Sequence, residues 1–189
     1  MESPLPYHDQ DNEIKSQFDL IFSAIYRTNS NSSEEDIRAI NERIQREVTA
    51  KPILAKIVQQ GNYSLLSACT TCQCEQLHPA IKFLIELNPS ALLWPSDTSS
   101  RMICNIACHP SHCVLMPWVA THYQWVLDHE RCLESPPASY FLSEYANREE
   151  ESGCTAAIIR EFFEAYPQAL TQVDEYGCTP LHNILFRGS

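Results

Sequence analysis

The chain has 189 residues, of which 44% are apolar and 20% charged, which suits one ordinary domain or a short stack of repeats and excludes global disorder. Its formal charge of −11 excludes nucleic acid as a direct partner and disfavours an anionic membrane surface, because both would be repelled. No stretch approaches ~18 unbroken apolar residues, so no membrane span is expected.

Residues 1–11 are polar and acidic and read as a disordered tail. They lack the basic start and apolar run of a secretion signal, so the expected location is intracellular, cytoplasmic or nuclear. Nine cysteines, an odd number, then point to free thiols and not to a disulfide framework. Four glycines against twelve prolines suggest helices ended by proline turns.

Residues 12–61 form an N-terminal helical segment, either a cap or a degenerate repeat. Ile14, Phe18, Ile21, Phe22 and Ile25 repeat at helical spacing and predict a helix from Glu13 to Arg27. Ser32 and Glu35 are spaced as a capping box for a second helix with Ile37, Ile40, Ile44 and Val48. That helix should stop near Lys51, since Pro52 disfavours helix in the residue before it. Pro52 then suits the first position of a third helix, reaching Gln60 and stopping at Gly61.

Beyond Asn62 the chain repeats itself. Ala68-Cys69 and Cys74 recur as Ala107-Cys108 and Cys113, offset by 39 residues. Asn88-Pro89-Ser90-Ala91-Leu92 recurs as Tyr166-Pro167-Gln168-Ala169-Leu170, offset by 78, twice that period. Helices are expected at Tyr63–Cys69, Pro79–Leu87 with Ile81, Leu84 and Ile85 as its inner stripe, Met102–Cys108 and Pro117–Asp128. Trp118, His122, Trp125 and Val126 share a face of the last of these, and such a stripe is read as core. A further helix carries Ile158, Ile159, Phe162, Phe163 and Tyr166.

The segment Asp174-Glu175-Tyr176-Gly177-Cys178-Thr179-Pro180-Leu181-His182 resembles the ankyrin repeat motif, Asp-x-x-Gly-x-Thr-Pro-Leu-His. The resemblance implies that Thr179 and Pro180 begin a first helix, that His182 bonds to neighbouring backbone, and that Leu181 packs inward between units. It implies an all-α solenoid of helix pairs over residues 62–189. The 39-residue period exceeds the usual ~33, so the extra residues belong in turns. Residues 130–152, with Ser135-Pro136-Pro137 and Glu149-Glu150-Glu151, read as an insertion. The last repeat is incomplete, which fits a fragment of a longer array.

Two constellations invite chemistry. Cys69, Cys72, Cys74, Cys108, His112 and Cys113 are residue types that hold zinc in a tetrahedron, which would make this a zinc-stabilised Cys/His-rich module. Their recurrence with the repeat equally suits small buried side chains. A Cys-dependent enzyme is the remaining class, but no glycine-rich oxyanion turn accompanies a nucleophile. The sequence is therefore read as a non-enzymatic scaffold without cofactors, mediating protein–protein interaction. Trp94 and Tyr176, in the loops Leu93–Arg101 and Gln172–Tyr176, are its candidate contact aromatics.

Overall fold

The computed structural model describes residues 3–28, 32–72, 74–95, 101–129, 138, 141, 156–174 and 176–187. The protein is mostly helical. It divides into two compact units, Met1–Met102 and Ile103–Ser189.

In the first unit, helix α1 spans Asn12–Tyr26 and is capped by Asp11, whose carboxylate accepts from the Ile14 N–H at 2.8 Å. It buries Phe18, Ile21 and Ile25. Helix α2 spans Glu34–Ala50 and buries Ile37, Ile44 and Val48. Its capping box uses Ser33 and Asp36, one residue beyond the expected Ser32 and Glu35. The shorter aspartate still reaches the Ser33 N–H, at 3.3 Å.

The third expected helix is absent. Pro52–Lys56 is a 3₁₀ turn, and Ile57–Val58 is a short strand, β2. Leu54, Ala55 and Ile57 are buried, so the turn and the strand both feed the core. The expected tail is also partly built. Leu5–Pro6 forms β1, which pairs in parallel with β2, Leu5 opposite Ile57. Tyr7 then lays its ring on Phe18, centroids 5.8 Å apart, and donates to Asp19 at 2.6 Å. Gln59 donates to the other Asp19 oxygen at 2.9 Å, so one carboxylate ties this segment to β2.

Helix α3 spans Leu65–Thr71 and α4 spans His78–Leu87. A second capping box opens α3: Ser64 Oγ accepts from the Ser67 N–H at 3.1 Å, and Ser67 Oγ accepts from the Ser64 N–H at 2.7 Å. Helix α4 carries Pro79 in its first turn and buries Ala80, Ile81, Leu84 and Ile85, the stripe expected from its spacing. Helix α3 packs on both α1 and α4.

A single device ends α2, α4 and a later helix, α8 (Ala156–Ala165). Lys51, Asn88 and Tyr166 leave helical geometry at φ/ψ of −137°/83°, −147°/77° and −139°/70°. Each precedes a proline, and each proline opens a five-residue 3₁₀ turn: Pro52–Lys56, Pro89–Leu93 and Pro167–Thr171. The sequence match between Pro89 and Pro167 thus has a shared local structure, and Pro52 adds a third instance.

Helix α5 spans Met102–Cys108, at the junction of the two units, as its sequence suggested. In the second unit the expected helix from Pro117 to Asp128 is two pieces, α6 (Met116–His122) and α7 (Gln124–His129), broken at Tyr123. Helix α6 packs mainly on α8. Phe162 of α8 is fully buried and meets Phe141, centroids 4.9 Å apart. The last helix, α9, spans Pro180–Arg187. Apart from Ala138 and Phe141, both buried, the expected insertion at 130–152 lies outside the described residues.

Phe18 and Leu20 sit two residues apart on α1, 0% and 54% exposed. Phe18→Ala should cost about 3–5 kcal/mol, as a buried aromatic leaves a cavity. Leu20→Ala should stay within about 0.5 kcal/mol. Urea unfolding monitored by helical circular dichroism distinguishes the two.

Candidate interaction surface

The ankyrin-like segment builds a tight hairpin that feeds a capped helix. The Asp174 N–H donates to the Cys178 carbonyl at 2.9 Å, and the Gly177 N–H donates to the Asp174 carbonyl at 3.1 Å. The Asp174 side chain, 5% exposed, accepts from the N–H groups of Tyr176 and Cys178, each at 2.9 Å. Gly177 sits at φ +75°, where a side chain would be strained. Tyr176 stands at the tip, 78% exposed. The Thr179 N–H then donates to His182 Nδ1 at 3.2 Å, and Thr179 Oγ1 lies 2.9 Å from the same nitrogen. His182 thereby completes the helix cap. Pro180, buried, occupies the first helical position.

The same construction stands 115 residues earlier. The Gln59 N–H donates to the Tyr63 carbonyl at 2.8 Å, and the Asn62 N–H donates to the Gln59 carbonyl at 3.1 Å. Asn62, at φ +67°, takes the place of Gly177, since asparagine tolerates the left-handed region better than other side chains. Ser64 takes the place of Thr179, and Ser67 that of His182. In sequence this divergent copy, Asn62 to Cys69, keeps only the leucine of the Gly-x-Thr-Pro-Leu-His string.

The two copies differ in what lies outside. Leu66, the counterpart of Leu181, is 3% exposed, whereas Leu181 is 60% exposed and does not pack inward as the motif implied. Leu185 is 65% exposed, and Leu170 and Val173, just before the hairpin, are 51% and 44% exposed. Helix α9 packs on the turn Pro167–Thr171, so these side chains sit on adjoining backbone. Trp94, expected as an exposed contact, is instead buried at 6%, because it closes the turn Pro89–Leu93 and its carbonyl accepts from the Met102 N–H. Asp97 and most of its loop lie outside the described residues.

No family model matches the chain, and neither a curated protein nor a solved structure matches it.

The cysteines have local duties. Cys72 Sγ donates to the Ile25 carbonyl at 3.2 Å and also faces that of Thr28, at the end of α1. Cys74 Sγ donates to Gln76 and Cys113 Sγ to the Pro110 carbonyl, each at 3.1 Å. Burial pushes the thiols of Cys69, Cys72 and Cys74 above their ordinary range. Among the described residues no group of three or more His, Cys, Asp or Glu side chains is placed to hold a metal ion. His112 is buried and its ring faces that of His109, centroids 4.8 Å apart. Cys108 carries a free thiol, but Cys104 is disulfide-bonded, so the expectation of free thiols throughout fails there.

The cysteine register also shifts. The turn Glu75–Leu77 and the start of α4 recur as Cys113–Leu115 and the start of α6, 38 residues later and not 39. Cys74 therefore corresponds to His112, and Cys69, in a helix that recurs 37 residues later, to Ile106. The recurrent cysteines do not occupy equivalent positions.

The Trp118 stripe is not core. Trp118 is half-buried and Trp125 is 41% exposed, while Val126 is buried. The rings of Trp118 and Tyr123 meet edge to face, centroids 5.4 Å apart, so they fill the space between themselves. Tyr166 is fully buried and donates to Asp128, while Gln172 donates to its hydroxyl at 2.6 Å.

Two outcomes follow from these environments. Cys69 should react with a maleimide only as fast as the first unit opens, whereas the half-buried Cys178 should label rapidly; mass spectrometry of the labelled peptides reads both. Burial, followed by the bond to Asp128, raises the Tyr166 phenol above its ordinary value near 10.0. Its contribution is thus complete below that value and is lost as pH rises beyond it. Tyr166→Phe should flatten the alkaline fall in melting temperature seen above pH ~10.

Proposed function

We propose that this chain is an ankyrin-like helical-repeat scaffold that binds a protein partner and performs no covalent chemistry. The observation that carries the reading is the contrast between two equivalent leucines: Leu66 is covered and Leu181 is bare. An apolar group left outside a capped, well-formed helix marks a place where another surface belongs. Tyr176, on its hairpin tip beside that helix, supplies the large amphipathic side chain that often anchors such contacts.

Other features agree. The Thr179–His182 cap and the αL residue at Gly177 are what the ankyrin-like motif requires of its sequence. The formal charge of −11 favours a partner with a neutral or basic face over nucleic acid or an anionic membrane. Among the described residues no helix is long and apolar enough to cross a membrane. The metal-bound alternative draws no support from the cysteines, whose sulfurs are turned to carbonyl groups and to Gln76.

The test is a photo-crosslinking residue placed at Tyr176, and separately at Leu20 on α1, in cells that express the chain natively. A discrete protein adduct at position 176, absent at position 20 and reduced by Leu181→Asp, is expected. Equal adducts at both positions, or none at 176, would refute the assignment.

A further inference from the structure

We infer that the first unit holds a binding site for a small uncharged molecule carrying hydrogen-bond donors, in the cavity between the β1 segment and the hairpin before α3. The cavity measures about 640 Å³ and is lined by residues 4–8 and 58–62. Small-molecule sites occupy roughly 300–1,000 Å³, so the space is large enough for such a ligand. Its walls are built without one. β1 is paired with β2, and Tyr7 is held against Phe18. The Gln59 N–H closes the hairpin on the Tyr63 carbonyl at 2.8 Å. A ligand entering a preformed site loses little free energy to ordering its walls.

The lining selects the ligand's chemistry. Leu5 and Val58 contribute apolar surface, and Gln59, Gln60 and Asn62 contribute carboxamides. Among the described residues no Asp, Glu, Lys or Arg lines the cavity. A charged ligand would shed its hydration there without meeting an opposite charge, whereas a neutral one avoids that cost. Asp19 adds a second preference. Its carboxylate accepts from the Tyr7 hydroxyl at 2.6 Å and from the Gln59 carboxamide at 2.9 Å. Tyr7 thereby commits its only side-chain donor, and Gln59 commits one of its two hydrogens. Each keeps an oxygen able to accept. The ligand that fits best therefore brings an amide N–H or a hydroxyl, on a ring or short chain that covers Leu5 and Val58. This site is separate from the exposed leucines of α9 and does not depend on how they are read.

The experiment titrates the ¹⁵N-labelled full chain with benzamide, benzoate and benzamidine, which share one ring and differ in charge. Amide shifts are followed by NMR. Benzamide should saturate with a Kd on the order of 1 mM, suited to so small a ligand, and move the amide signals of Leu5, Val58, Gln59 and Gln60. Benzoate and benzamidine should bind at least about tenfold more weakly. Val58→Phe, which adds bulk at a half-buried wall, should abolish the benzamide shifts. Gln60→Glu alters an exposed position and should keep the wild-type fold, while turning the preference toward benzamidine. Failure of benzamide to saturate, equal binding of the three compounds, or shifts centred away from the lining overturns the inference. So does a charge preference that Gln60→Glu leaves unmoved, whether or not Val58→Phe folds.

Discussion

The architecture depends on what proline does to the residue before it. A proline ring crowds the preceding backbone out of the α region. Lys51, Asn88 and Tyr166 each obey that constraint and adopt nearly the same extended-side geometry. Each helix therefore stops at a fixed residue, and the following 3₁₀ turn sends the chain onward in a fixed direction. Leu54, Ala91 and Ala169 of those turns are buried, and the turns at Pro52 and Pro167 pack against the helices α3 and α9 that follow. Without that fixed stop, a run such as Ile53 to Val58 could have continued as helix, and Ile57–Val58 would not be free to pair with Leu5–Pro6.

A second constraint acts at the other end of each loop. The hairpins before α3 and α9 both enter the left-handed region, at Gly61 and Asn62 in the first and at Gly177 in the second. A cap must follow at once. Ser64 with Ser67 and Thr179 with His182 solve the same problem with different groups, because either a hydroxyl or an imidazole nitrogen can accept the N–H of the capping residue. Function then resides in what is left outside this frame, not in the frame itself.

Much of the helix content was legible because burial on one side writes a period into the sequence. Phe18, Ile21 and Ile25 announced α1, and Ile81, Leu84 and Ile85 announced α4. The turn at Pro52 was misread because proline serves equally as the first residue of an α-helix and of a 3₁₀ turn. The cysteine register slipped, by two at Cys69 and by one at Cys74, because cysteine pairs can coincide by chance, whereas the turn and helix boundaries are fixed by geometry. Exposure was the least legible property. Trp94 and Leu181 were assigned from their loops and motif, but the side that a side chain presents depends on elements distant in sequence, and both assignments reversed. Tyr176 stayed outside because a three-residue hairpin tip leaves it nowhere to go.

The short pairing of Leu5–Pro6 with Ile57–Val58 has a consequence for solubility. A sheet edge recruits further strands through unpaired backbone N–H groups. On β1 the residues flanking Leu5 are Pro4 and Pro6, and neither has an N–H to offer. That strand can offer an incoming chain carbonyl acceptors but no N–H beyond that of Leu5, which weakens the addition of a further strand beside β1.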